Sequence, residues 1–359
     1  MSFRHEPPRC PMSIDKLANS IAPAVHGHMD VKKGILLMLL GGVRKDIAGS
    51  VHRGDVHVCL LGDPATAKST LLKWVASFVP RGVYTSGAGC SAAGLTVAVV
   101  ADDTGEKVLK PGALMMAAGS VCCIDDFETM QETDQLSIRE TMDQQTISVA
   151  KAGIQTRLNA SSSVLVACST GGSGDNQLRS VGRSILDAMP AIMLPCFDLF
   201  FVVQDEYGGA ADEAIARHML ASASSHKSLT KECDRDSRQE LSSRDLWCYI
   251  QHARMIQPEI TREAHCRLTN CYTELRRKTE GSRTVTGGVN ARHLQSLIRL
   301  SEACARASLD TEVQVEHVDE AFHLMNVASA CSQWNLPTAD GASSTTRERP
   351  FKRARFRGA

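Results

Sequence analysis

Lys68 and Ser69 are the two residues of this chain whose types and spacing most clearly promise chemistry. They close the run Gly62-Asp-Pro-Ala-Thr-Ala-Lys68-Ser69, which follows directly on the apolar segment Val56–Leu61. A strand that turns through such a loop into a helix makes a cradle for phosphate. Backbone N–H groups surround the anion, the helix N-terminus adds positive potential, Lys68 reaches the β- and γ-phosphates, and the Ser69 hydroxyl ligates Mg²⁺. The candidate nucleotide-binding residues are therefore Gly62, Asp63, Pro64, Ala65, Thr66, Ala67, Lys68, Ser69 and Thr70. One position departs from the usual pattern, since Ala67 stands where a second glycine precedes the lysine.

About sixty residues later, Gly119-Ser-Val-Cys-Cys-Ile-Asp125-Asp126-Phe127 gives a second apolar run that ends in two carboxylates. In P-loop ATPases the first such acid holds Mg²⁺, and the second orients the water that attacks the γ-phosphate. Asp125 is the expected metal-side acid and Asp126 the water-side acid. An acid pair after a strand is by itself an ordinary solvated turn; its meaning comes from Lys68 and Ser69.

These residues need a scaffold, and the chain supplies one. Strand-like runs recur at Val56–Leu61, Val97–Ala101, Ser120–Ile124, Ser163–Cys168 and Leu199–Val203, separated by helical stretches. That alternation predicts a parallel sheet covered by helices. Ahead of it, Ser13–Leu40 reads as helices, with Val31–Leu40 presenting one strongly apolar face before Gly41-Gly42 stops it. The Ser/Lys-rich stretch Ala221–Glu240 reads as an exposed linker. Beyond it, Leu241–Met255, Thr261–Lys278, Asn290–Ser308 and Val315–Ala330 carry helical periodicity and predict a small helical bundle. The expected organisation is an irregular N-terminus over 1–12, an α/β core over 13–206, a linker over 207–240, a helical lid over 241–332 and a disordered basic tail over 333–359.

Composition narrows the function classes. With 40 basic and 40 acidic residues in 359, the chain does not bind nucleic acid by bulk charge, so any such contact must be local. The last fifteen residues hold six basic residues and one acid; they fit either a nuclear-import signal or a solvated end. Thirteen cysteines form no Cys-x-x-Cys pair, and several lie inside apolar runs, which suits small buried hydrophobes in a reducing compartment. No metal site beyond Mg²⁺ is expected. The longest apolar run, Ile35–Leu40, is too short to span a bilayer, so no membrane role is expected.

A strand-rich ATPase core followed by a helical lid is the layout of AAA+ ATPases, and several segments resemble the minichromosome maintenance (MCM) replicative helicases more specifically. They are Ile35–Gly42, Gly62–Ser69, Val83–Gly87, Ser91–Thr96, Gly112–Met115, Cys122–Phe127, Gln144–Ser148, Lys151–Gly153, Leu158–Ala160, Phe197–Phe201 and Arg292–Ala303. The match runs from about Ser13 to Ala330. Within the family, Pro80–Ser86 and Thr146–Ile154 are most similar to the sixth subunit type of the eukaryotic heterohexamer. The resemblance implies an AAA+ P-loop α/β core with a small α-helical lid, and ATP and Mg²⁺ as bound groups. It implies other MCM-like subunits in a heterohexameric ring and single-stranded DNA as partners, and the nucleus as the location. The N-terminal DNA-binding barrel and C-terminal winged helix of full-length members have no counterpart here, so an isolated motor domain is expected.

The resemblance also assigns roles and marks departures. Lys68, Ser69 and Asp125 are in place. Asp126 stands where the family has glutamate, one methylene or roughly 1.5 Å longer, and a misplacement of about 1 Å can cost around 10²-fold, so slow turnover is expected. Ser169 replaces a sensor asparagine. Cys196 replaces an arginine finger, a cation worth up to about 10³–10⁵ in turnover at the neighbouring subunit's site. Arg292 matches the second sensor arginine, which also acts across an interface. Lys151 matches the lysine of a hairpin that touches DNA in the ring's channel, and Ser91–Pro111 matches a second hairpin inserted within a helix. Two functions remain open: an ATP-driven helicase subunit, or a catalytically impaired subunit that serves a ring structurally.

Overall fold

The computed structural model describes residues 11–47, 50–101, 107–151, 154–169, 189–190, 192–203, 208–223, 241–279 and 289–330. The expected basic tail, most of the irregular N-terminus and the Ser/Lys-rich stretch after residue 223 lie outside them.

Two helices, α1 (Ile14–Asn19) and α2 (Met29–Leu40), open the described chain, and a small antiparallel ladder follows, β1 (Lys45–Ile47) with β2 (Ser50–His52). The phosphate-loop strand β3 (Val58–Gly62) then feeds helix α3 (Lys68–Phe78), and β4 (Val83–Ser86) comes next. A short helix α4 (Ala92–Leu95), the hairpin β5 (Val97–Ala101) and β6 (Lys107–Pro111), and a short helix α5 (Ala113–Met116) lead to β7 (Val121–Asp125). Helix α6 (Glu132–Gln144) and the hairpin β8 (Thr146–Lys151) and β9 (Ile154–Asn159) precede β10 (Ser163–Ser169) and β11 (Leu199–Val203).

The central sheet has the order β11-β3-β10-β7-β4, and every neighbouring pair is parallel. Strands β3 and β7 are buried at every position, as parallel strands covered on both faces must be. The expected parallel sheet is present with one exchange of members. Val97–Ala101 forms an antiparallel hairpin with Lys107–Pro111 instead of entering the sheet. The fifth sheet strand is Val83–Ser86, whose partly buried, mixed sequence suits an edge. The two hairpins meet each other through Val97, Ile147, Val149 and Ala160, a third small core that sets the β8–β9 hairpin on the β5–β6 one.

Helix α2 differs from its expected one-faced form, since Val31 to Leu40 are buried at every position except Lys33. A helix apolar all round belongs in the middle of a core. Gly34 allows this, because a side chain there would collide with the ring of Phe201 on β11. The helices after residue 240 cover the other side: α8 (Ser243–Met255), α9 (Arg262–Thr279), α10 (Ala291–Ala307) and α11 (Val315–Ala330). Segment 207–240 is not bare linker, for it carries helix α7 (Gly209–Ala223). A single hydrophobic cluster runs from Leu17 and Ile35 through Leu60 and Phe201 to Leu297, Leu300 and Met325. Among the described residues no helix is long and apolar enough to cross a membrane.

Polar contacts pin the lid to the core. Asp198, buried just before β11, accepts from Ser296 at 2.5 Å, pairs with Arg299 of α10, pairs with Arg53 at 3.3 Å, and accepts the His57 backbone N–H at 2.9 Å. Burial alone would raise its carboxyl, but Arg299 and Arg53 hold it far below the usual carboxylate range. His57 is fully buried; its Nδ1 accepts from Val164 N–H at 3.0 Å, so Nε2 carries the proton and donates to the Met142 carbonyl at 3.1 Å. Burial, aided by Arg53, pushes its pKa well below 6.5.

These shifts fix the acid side of the stability profile. The unfolded chain binds a proton at His57 that the folded chain refuses, so that contribution is complete above the ordinary His value of 6.5 and is lost as pH falls below it. Asp198, also depressed, adds a second loss below its ordinary 3.8. Thermal unfolding should show a falling Tm from pH 7.5 to 5.5. His57→Gln, which has no group titrating in that window, should flatten this first slope even if it unfolds at a lower Tm throughout; an unchanged slope would remove His57 as its cause.

Candidate functional site

The site is built where β3, β10 and β7 end side by side. The register sets Gly62 opposite Ser169, and Ser86 of β4 opposite Asp125. Parallel strands ending together bring their loops to one sheet edge, the usual place for a ligand in such folds. Gly62 must be glycine here, since a Cβ would run into the Val203 carbonyl of the neighbouring β11.

From Gly62 the loop turns through two left-handed alanines, Ala65 at φ 68° and Ala67 at φ 61°, into the N-terminus of α3. No side chain caps that terminus, so the first-turn N–H groups are left for an anion. Lys68 is buried, and its Nζ donates to the carbonyls of Gly62 at 2.8 Å and Asp63 at 2.5 Å and to Thr66 Oγ1 at 3.2 Å. The ammonium is thus already drawn over the loop. Burial lowers its pKa, while Asp63, Glu128 and Asp125 oppose that shift.

Asp125 is buried at the end of β7, with Oδ2 accepting from the Tyr84 hydroxyl at 2.8 Å and Oδ1 from the Asp126 N–H at 3.2 Å. Tyr84, which sequence reasoning did not single out as a site residue, is pushed up to about 12 by burial and by that bond, so it stays a donor. Its signal lies in the pairing register: Tyr84 faces Cys123, one alternation period from Asp125. Asp126 follows in the left-handed region, φ 49° and ψ 47°, with its carbonyl accepting from both the N–H and the hydroxyl of Thr129. Glu128 lies in the single turn Phe127–Thr129 that follows.

Oxygen donors from Ser69 and Asp125 suit a hard Mg²⁺ that takes its remaining ligands from phosphate and water. Among the described residues no cluster of three or more His, Cys, Asp or Glu could hold a metal unaided. The uncapped helix start and the Gly62 opening fit a nucleotide's phosphates. Beside the loop lies a cavity of about 770 Å³, lined by Ala65, Thr66, Ala67 and Thr70 on one side and by Val25, His26, Phe201 and His218 on others. Its mixed apolar and imidazole lining, continuous with the phosphate loop, can take a purine base.

The structure thus brings together Lys68, Ser69, Asp125, Asp126 and Ser169. It sets Arg292 and Lys151 elsewhere. Arg292 stands in the first turn of α10, bonded to Asp143 at 3.1 Å and 3.8 Å from the Cys196 sulfur, in a separate cleft shared with Arg53 and Arg299. Cys196 is buried there, its thiol pushed up to about 11 by burial and by Asp143. Lys151 closes β8 opposite Ile154, at the end of its hairpin.

An all-parallel sheet of order β11-β3-β10-β7-β4, with a phosphate loop after β3, an acid at the end of β7 and a helical lid, defines a P-loop ATPase of the AAA+ class. Residues 7–223 match the model of the MCM P-loop domain, and residues 244–329 that of the MCM AAA-lid domain. The chain belongs to the MCM family. It is 42% identical over 312 residues to the DNA replication licensing factor mcm6 of Dictyostelium discoideum, covering 86% of this chain and 35% of that protein. The Schizosaccharomyces pombe protein of the same name is 42% identical over 313 residues, 86% of this chain and 34% of its own length. The zygotic DNA replication licensing factor mcm6 of Xenopus tropicalis is 43% identical over 323 residues, 88% and 38% respectively. The chain therefore spans little more than a third of the length of these relatives.

Ala67 gives this site a testable local cost. A left-handed L-residue costs about 1–2 kcal/mol, and the extra chain entropy of glycine offsets about 0.5–1 of that. Ala67→Gly should raise unfolding stability by about 0.5–1 kcal/mol in a denaturant titration, with Gly94→Ala at an unstrained position as the comparison; a loss of stability would show that the loop carries no such strain.

Proposed function

We propose that this chain binds MgATP at the Gly62–Thr70 loop and, as one subunit of an MCM ring, turns it over to drive translocation on single-stranded DNA and duplex unwinding in replication. The observation that carries this reading is the meeting of Lys68, Ser69, Asp125 and Ser169 at one sheet edge, beside a cavity of nucleotide size. In this reading Lys68 and the α3 N-terminus hold the phosphates, Ser69 and Asp125 hold Mg²⁺, and Ser169 donates toward the γ-phosphate. Arg292 points out of the chain's own site and serves a neighbouring subunit. Lys151 reaches DNA as one of several hairpin lysines that together track the backbone without reading bases. The ring is formed with other MCM-like subunits, and its work in DNA replication supports a nuclear location.

A second reading rests on one observation. The cleft position matched to the arginine finger holds the buried thiol of Cys196, which offers no cation to a neighbour's site. A chain that binds ATP but supports turnover poorly would serve the ring structurally.

ATP turnover of the chain, alone and mixed with sibling MCM subunits and single-stranded DNA, separates the two. The expected outcome is partner-dependent turnover that disappears in Lys68→Ala, with ATP affinity down about tenfold or more from loss of a charge-assisted contact. ATP binding without turnover selects the structural reading, and unchanged affinity in Lys68→Ala removes the phosphate-cradle assignment. Lys151→Ala should weaken single-stranded DNA binding of the assembled ring and reduce its salt dependence while ATP affinity stays as it was; a parallel loss of ATP affinity would make Lys151 a structural residue.

A further inference from the structure

We propose that Tyr84 is a positioning residue for the nucleotide's Mg²⁺: its phenol fixes the Asp125 carboxylate as a metal ligand. The inference rests on the nucleotide-site reading above and deepens it.

The two side chains meet through the pairing of the edge strand. In the parallel ladder of β4 with β7, Tyr84 lies opposite Cys123 and Ser86 opposite Asp125. Paired residues share a face of the sheet, and so do residues two apart on one strand, which puts Tyr84 and Asp125 on the same face. The offset between them is two residues, roughly 6.6 Å along the strand. A phenol is long enough to cross it, and the Tyr84 hydroxyl donates to Asp125 Oδ2 at 2.8 Å. A serine or threonine hydroxyl at the same position would fall short.

Helix α3 holds the ring from its other side. Lys73 Nζ stands 5.6 Å from the centroid of the Tyr84 ring, close enough for the ammonium to be drawn to its face. Lys73 lies about one turn along α3 from Ser69, the expected hydroxyl ligand of the metal. Tyr84 thus ties the helix that carries one oxygen donor to the strand that carries the other.

The surroundings of Asp125 give that bond its weight. The residue is buried, only 5% exposed, and among the described residues no cation forms an ion pair with it. Its two donors are the Tyr84 hydroxyl and, at Oδ1, the Asp126 N–H at 3.2 Å, which is at the long end of the normal range. Tyr84 is therefore the stronger of the two. A carboxylate has about four acceptor sites, so both oxygens keep room for a metal ion or its water. A buried carboxylate without a counter-ion favours a cation beside it. Donors that orient a ligating carboxylate in this way are typically worth about 10- to 100-fold in metal affinity. A residue serving only the sheet edge would behave differently. The ring is 38% exposed, and phenylalanine keeps all of it, so loss of the hydroxyl would then change little.

The test uses Tyr84→Phe, Asp125→Asn and the double variant, each in the full chain assembled with sibling MCM subunits whose own phosphate-loop lysines are replaced. Affinity for a fluorescent ATP analogue is measured in EDTA and then across a Mg²⁺ titration. Tyr84→Phe should raise the Mg²⁺ midpoint about 10- to 100-fold, while the affinity in EDTA stays within about twofold. On the Asp125→Asn background the same change should move the midpoint less than about twofold, because the hydroxyl acts through that carboxylate. An unchanged midpoint in Tyr84→Phe overturns the proposal. So does an effect that adds in full to Asp125→Asn, an equal loss of affinity in EDTA, or a parent chain that binds the analogue without responding to Mg²⁺. A parent that binds no analogue under either condition sinks the nucleotide-site reading, and this assignment with it.

Discussion

Asp198 is the buried charge around which the two halves of this chain are held together. A carboxylate with no solvent exposure at its side chain is tolerable only when cations and donors surround it, and here they come from three places. Arg53 arrives from the turn before β3, Ser296 and Arg299 from helix α10, and the His57 N–H from the start of the phosphate-loop strand itself. Removing one member of such a set leaves an uncompensated charge, at a cost of about 3–5 kcal/mol. The angle of the lid helix and the start of β3 are therefore set by the same group. Arg306 extends the attachment, donating to the carbonyls of Leu40, Gly41 and Gly42 where α2 ends. The helix is thus held at its middle and at its C-terminal end, and Arg292, in its first turn, stands against Asp143 and Cys196.

The phosphate loop depends on this frame because it is itself strained and open. Ala65 and Ala67 in left-handed backbone, an uncapped helix start and a lysine bonded only to loop oxygens are all local losses. They persist because β3 is held on both sides by β10 and β11, and because α3 packs Leu71, Leu72 and Val75 into the main core. Strain of this kind is stored at functional sites when the surroundings over-determine the backbone. The uncapped first-turn N–H groups of α3 are the ones an anion would satisfy.

What the sequence made legible follows the range of the interactions involved. Apolar runs bounded by turn residues identified four of the five sheet strands, and a loop, a lysine, a hydroxyl and an acid at a strand end identified the phosphate-side residues. The misassigned strand shows the limit: Val97–Ala101 carries more β-branched residues than Val83–Ser86, yet only the latter lies beside β7. Membership in a sheet is decided by partners, which local composition does not encode. Gly34 and Tyr84 were silent for the same reason, since each acquires its role from a residue on another strand or helix. The role of Asp198 was hidden likewise, because its four partners are spread over more than two hundred residues.

Two departures from the family pattern, Asp126 and Cys196, look equivalent in the sequence and are physically distinct in the fold. Asp126 belongs to the chain's own sheet edge, directly after Asp125 at the end of β7. Cys196 is buried beside the cleft lined by Arg53, Arg292 and Arg299, and two of these guanidiniums are committed to Asp198. Arg292, itself 41% exposed, is bonded to the less exposed Asp143, a contact worth at most about 1 kcal/mol, and so it is the cation of this cleft least tied to the protein. The cysteine leaves the cleft with a single loosely held guanidinium, that of Arg292. Each substitution therefore bears on a different side of the fold, Asp126 on the edge that carries Lys68 and Asp125, and Cys196 on the cleft that carries Arg292.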